Sequence, residues 1–180
     1  DNMTIDSKSG ETDGKRGRYR EITVDSGAGE SVVNPDDWPS VDLKPSKGSV
    51  KGQRYVGLGG EMIDNLGELT VKVRAERHGG GDISSRVTFQ GAKVRKPLLA
   101  VFGVIDKGNI VVFDGNGSFI LPNSCAGVAS VRKAITGVQG RIRLHAKNGV
   151  FALRTWEPED RPSTDFSRRT LLERAKHQAE

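Results

Sequence analysis

The run Ile22-Thr23-Val24-Asp25-Ser26-Gly27-Ala28 decides how this chain is read. Ile22, Thr23 and Val24 are β-branched and favour extended backbone. Gly27 accepts backbone angles closed to other residues, so the strand can end there in a tight loop. Asp25 is then held at a strand end with Ser26 beside it, where a carboxylate can do acid–base chemistry. Asp-Ser-Gly is also ordinary turn chemistry. Elements elsewhere in the chain have to decide between the two.

Outward from this run, residues 1–18 are polar, rich in Asp, Ser, Lys and Gly, and carry no hydrophobic period; they read as a disordered leader. The strand itself is expected over about residues 19–25. Residues 28–53 read as a long loop with one helical turn near Pro35-Asp36-Asp37-Trp38, and with Trp38 packed at the core edge. Residues 55–73 read as a hairpin whose tip is Gly57-Leu58-Gly59-Gly60. Within it, Leu69, Val71 and Val73 alternate with Thr70 and Lys72 at strand period. A following strand sets Ile83, Ser85, Val87 and Phe89 on one face, joined through the loose loop His78-Gly79-Gly80-Gly81.

Leu98-Leu99-Ala100 begins a continuously apolar stretch that reads as a buried strand, and a short helix follows, ending at Gly108. Residues 110–113 and 118–121 form a hairpin around Asp114-Gly115-Asn116-Gly117, and residues 141–145 pair with 150–156 across Lys147-Asn148-Gly149. Residues 122–140 have no clear period. From Glu157 the chain is polar again and reads as a linker, with a marginal helix capped by Ser163 or Thr164 and running through Arg168, Leu171, Leu172 and Arg174. Short strands with turn signals at close spacing argue for an all-β fold, a small barrel or sandwich.

Composition bounds the function. A length of 180 residues suits one domain plus tails, and a hydrophobic share of 34% leaves part of the chain unpacked. The net charge of +5 is spread among acids, without a basic stripe bearing stacking aromatics, so direct nucleic-acid binding is not expected. Cys125 is the only cysteine; an intrachain disulfide is excluded and a reducing, intracellular, cytoplasmic setting is expected. The longest apolar run, residues 97–105, is too short to cross a bilayer, so no membrane partner is expected, and no secretory signal is read. The chain opens at Asp1 with charged tails about its core, and is expected to be a piece of a longer polypeptide.

Other chemistries fare poorly. His78, His145 and His177 are dispersed with no Cys or acid at ligand spacing, so neither a metal nor another cofactor is expected. Gly27-Ala28-Gly29 follows a strand, but Val32 stands where a dinucleotide loop has its third glycine. There is no P-loop and no Gly-x-Ser-x-Gly elbow, and His78-Gly79-Gly80-Gly81 imitates an oxyanion loop without a nucleophile. Cys125 has no evident His partner and reads as a small, at least partly buried residue.

The ordered set Val24-Asp25-Ser26-Gly27-Ala28, a Gly-rich hairpin, then Leu98-Leu99-Ala100 resembles the retroviral-type (retropepsin-like) aspartic proteases, most of all those in Copia-like retrotransposon polyproteins. The similarity continues through Asp106-Lys107-Gly108-Asn109 and Val111-Val112-Phe113; it covers about residues 19–121, and less closely reaches Trp156. Ala100 stands where that family usually has Gly, Val101 where a polar residue is frequent, and the spacing from Asp25 to the hairpin tip is long.

The resemblance implies a small closed barrel over residues 19–156, with one short helix after the Leu98-Leu99-Ala100 strand. It implies an aspartic endopeptidase in which Asp25 is the acid, and in which Ser26 and the Gly27 amide hold the site. Gly57, Leu58, Gly59 and Gly60 would be the flap over an extended peptide, and Leu98, Leu99 and Ala100 the supporting strand. Such chemistry needs two carboxylates sharing a proton about one water; two like charges that close cannot both ionise, so their pKa values split. This chain has one Asp-(Ser/Thr)-Gly, so the second acid is expected from another copy in a homodimer. The alternative is a catalytically inactive domain of the same fold that serves interaction or assembly.

Overall fold

The structure, a computed structural model, describes residues 4–6, 20–57 and 59–155. In chain order its elements are strands β1 (Thr4–Asp6), β2 (Thr23–Asp25) and β3 (Val32–Val33), a 3-10 turn (Pro35–Asp37) and helix α1 (Lys47–Val50). Strands β4 (Arg54–Val56), β5 (Met62–Asp64), β6 (Gly67–Glu76), β7 (Asp82–Gly91) and β8 (Leu98–Ala100) follow, and then helix α2 (Val101–Asp106). Strands β9 (Ile110–Val112) and β10 (Phe119–Leu121), helix α3 (Val128–Gly137), and strands β11 (Leu144–Lys147) and β12 (Val150–Leu153) complete it. The fold is strand-rich, with few and short helices.

The frame is the antiparallel pair β6–β7, in register from Gly67 opposite Gly91 to Glu76 opposite Asp82. Alternation puts Leu69 and Val71 on the same side as their cross-strand partners Phe89 and Val87, and all four are buried. Val33, Leu99 and Val104 close the core from β3, β8 and α2. Trp38 lies against this core, its ring 6.3 Å from that of Phe89 and nearly parallel to it. The Arg20 guanidinium sits over Trp38, 5.2 Å from the ring centre, and donates to the Asp37 carbonyl.

The main sheet runs β1-β7-β3-β8-β2, with β6 on β7, and among the described residues this path does not close on itself. β9–β10, β11–β12 and β4–β5 are separate hairpins. The closed barrel expected from the resemblance is therefore not what the strand pairing displays.

Other differences have local causes. Residues 55–73 are not one hairpin: β4 and β5 form a short one, and β6 turns away to pair with β7. The break falls at Gly67, whose φ is +135° and whose added Cβ would lie 2.3 Å from the Lys44 carbonyl oxygen. Lys44 and Glu68 exchange backbone hydrogen bonds at that point, so only a residue without a side chain lets the strands approach. Among the described residues, two α-helices stand beside the expected one after β8. Of these, α3 fills part of residues 122–140, where the sequence has no clear period. The other, α1, interrupts the expected 28–53 loop; a reciprocal Ser46–Ser49 capping box starts it. Thr4–Asp6, inside the stretch that reads as a disordered leader, pair with Ser84–Arg86 of β7. The helix expected after Ser163 or Thr164, the polar linker, Trp156 and Leu58 lie outside the described residues.

Candidate active site

Strands β2 and β8 are parallel, with Thr23 opposite Leu98, Val24 opposite Leu99 and Asp25 opposite Ala100. Both therefore finish at the same end of the sheet, and α2 starts there. β3 follows β2 in sequence but lies on the other side of β8 in the sheet. The loop from Ser26 to Ser31 must then cross the end of β8. Ser31, buried, fastens the crossing: its Oγ accepts the Ala100 amide proton at 3.0 Å. This crossing displays Asp25 half-buried at a sheet edge, with Ser26 and Gly27 exposed beside it.

The Gly27 amide donates to Asp25 Oδ1 at 2.7 Å. That bond fixes one carboxylate oxygen and leaves the other lone pairs for a ligand; it is also the bond of a simple Asx turn. Leu99 and Ala100 are buried behind the acid and Leu98 is half-buried. Ala100 has φ −68° and ψ 121°, ordinary extended backbone, so a methyl group in place of hydrogen causes no backbone strain.

The Gly-rich tip is closed by Gly57 donating to the Glu61 carbonyl and Gly60 to the Gly57 carbonyl. Gly57, Gly59 and Gly60 share no hydrogen bond with Asp25 among the described residues. The hairpin instead meets the acid-bearing loop at its base. Tyr55 donates its phenol to Glu30 Oε2 at 2.7 Å, and Gln53 Nε2 donates to the same oxygen at 3.1 Å. Asn65 Nδ2 donates to the Tyr55 oxygen at 2.9 Å and to Gln90 Oε1 at 3.0 Å. Asn65 Oδ1 accepts from the Gly67 amide at 2.9 Å. Burial first, then the Glu30 carboxylate it faces, push the Tyr55 phenol well above its ordinary range. Sequence reasoning missed Glu30, Ser31, Gln53, Tyr55, Asn65 and Gln90, because polar residues scattered over separate segments leave no periodic signal.

The far side of the loop is also covered. The β11–β12 turn at Asn148-Gly149 packs on Gly29: a Cβ on Gly149 would lie 2.8 Å from the Gly29 carbonyl oxygen. Phe151 faces Phe102 of α2 with ring centres 6.3 Å apart. A cleft of about 310 Å³ opens between the loop and α2, lined by Gly29, Glu30, Ser31, Phe102, Asp106 and Lys107. A larger cavity, about 570 Å³, runs along α3 beside Cys125 and Arg132 and includes none of the expected site residues.

Among the described residues no three His, Cys, Asp or Glu side chains gather as metal ligands, and no helix is long and apolar enough to cross a membrane. No protein-family model matches this chain, and neither the curated proteins nor the solved structures give a significant match.

Proposed function

We propose that this chain is an aspartic endopeptidase of the retroviral type, active as a homodimer. In this reading the main sheet and the β4–β5 hairpin make one half of a two-fold enzyme, and Asp25 of each copy flanks one water. The ionised acid takes a proton from that water, whose oxygen attacks the peptide carbonyl carbon. The protonated acid gives its proton to the carbonyl oxygen. Collapse of the tetrahedral intermediate breaks the C–N bond, and the leaving amine takes a proton from the dyad.

The observation that carries the reading is the crossing itself: Asp25 at the end of β2, beside Ala100 of parallel β8, with its carboxylate held by the Gly27 amide and still reachable. The test is cleavage of a peptide library at acidic to neutral pH, with a pepstatin-type inhibitor as a binding probe. Asp25→Asn is expected to abolish cleavage.

One contact favours a second reading, an inactive interaction module. The Asn148-Gly149 turn occupies the flank of the loop at Gly29, four residues from Asp25 in the chain. A domain that sediments as a strict monomer when concentrated, and cleaves nothing, is the outcome this reading expects.

A further inference from the structure

We propose that Tyr55 and Glu30 are positioning residues that tie the flap hairpin to the acid-bearing loop, so that hairpin closure over a peptide is coupled to that loop. The catalytic consequence rests on the endopeptidase reading, whereas the tether itself stands on the hydrogen bonds alone.

Glu30 lies five residues beyond Asp25, on the same crossing loop and next to Ser31, which is pinned to β8. One of its carboxylate oxygens receives two donors, and both come from the first leg of the hairpin, Gln53 and Tyr55. The second leg joins the same set through Asn65, which follows β5, is buried, and donates to the Tyr55 oxygen. Gln53 and Asn65 are further linked by a backbone bond, Asn65 amide to Gln53 carbonyl, at 3.1 Å. Asn65 then reaches Gln90 of β7 and the Gly67 amide, which anchors the set in the frame.

The donors and acceptors match. The Tyr55 hydroxyl gives its one proton to Glu30 and accepts one from Asn65, and both Asn65 amide protons are used. A phenol that keeps its proton far into the alkaline range is a dependable donor, and a bond to a carboxylate is stronger than one between neutral groups. Register puts Tyr55 and its partner Ile63 on one face of the hairpin and the exposed pair Val56 and Met62 on the other. The tether thus holds one face at the hairpin base and makes no bond to the tip glycines Gly57, Gly59 and Gly60 among the described residues.

The test compares the wild-type chain with Tyr55→Phe, Glu30→Ala and Glu30→Gln. Backbone amide exchange is read over residues 54–64 and, separately, over β6 and β7. Tyr55→Phe keeps the ring and removes the hydroxyl, which is the donor to Glu30 and the acceptor from Asn65; exchange in 54–64 is expected to quicken about tenfold or more, at least the worth of one hydrogen bond to a charged group, with β6 and β7 unchanged. Glu30→Ala should do the same. Glu30→Gln keeps an acceptor oxygen without the charge and should restore part of the protection. In peptide cleavage that depends on Asp25, Tyr55→Phe should raise KM about tenfold while kcat stays within about twofold, the pattern of lost uniform binding.

Unchanged exchange in 54–64, or equal quickening throughout the sheet, overturns the tether. A tether seen by exchange with KM unmoved overturns the coupling. If the wild-type chain shows no cleavage that depends on Asp25, the endopeptidase reading fails and the coupling with it, while the exchange arm still decides the tether.

Discussion

Asp25 and Ala100 end two parallel strands side by side, as register partners, and the loop that leaves Asp25 returns over Ala100 to be held there by Ser31. The position at which the resembling family usually carries Gly is thus occupied by a buried alanine in relaxed backbone. This departure does not disturb the strand beneath the acid.

Larger side chains at Ala100 should not be accepted. The residue is 1% exposed, so Ala100→Val must displace neighbours and is expected to cost about 1–3 kcal/mol. Ala100→Gly should cost about 0.5–1 kcal/mol through added freedom of the unfolded chain. Urea unfolding of the two variants measures both, and a neutral valine would contradict the packing described.

Gly67→Ala should be among the most damaging single changes. The backbone angle alone is expected to cost about 1–3 kcal/mol, and the clash with the Lys44 carbonyl adds to it by breaking the Lys44–Glu68 bridge. The thermal midpoint is the readout, and Gly79→Ala, in a turn where an added Cβ meets nothing but φ is +88°, separates strain from clash.

Phe89→Ala empties the centre of the core. Phe89 has no exposed surface, packs opposite Leu69 and carries the Trp38 stack, so a loss of about 3–5 kcal/mol is expected. Tryptophan fluorescence of Trp38 should report the lost stack in the folded variant, once the signal of Trp156 is removed by Trp156→Phe.

Tyr55 gives the fold an alkaline limit. Its phenol loses its proton at higher pH in the folded chain than in the unfolded one, where the ordinary value is about 10.0. The folded state therefore holds the extra proton above that pH, and the stability this contributes is complete below it and declines as pH rises further. Tyr55→Phe should be less stable than wild type at neutral pH, and its stability should fall less steeply above pH 10. Denaturant midpoints taken from neutral to alkaline pH decide this; parallel curves for the two proteins would contradict it.

Much of this arrangement is legible in the sequence, where local signals agree. Leu69-Val71-Val73 and Val87-Phe89 mark β6 and β7 by their alternation, Leu98-Leu99-Ala100 marks β8, and Asp114-Gly115-Asn116-Gly117 the β9–β10 turn. The β2 strand end at Asp25 is legible for the same reason. The interior split of residues 55–73 is not, because it depends on the backbone of Lys44, far away in sequence. Two-residue β3 carries no period at all, and it is the strand that forces the loop across β8. Likewise Ser31, Glu30 and Tyr55 acquire their partners only when the sheet order β3-β8-β2 brings separate segments together.

Whether Asp25 of two copies acts on one water is tested most directly by the initial rate of peptide cleavage across a dilution series, for wild type and for Asp25→Asn. Specific activity is predicted to fall as the wild-type chain is diluted into monomers, and the variant to be inactive at every concentration. Cleavage by Asp25→Asn at the wild-type rate, or specific activity that does not change while sedimentation shows only monomer, would contradict a shared dyad.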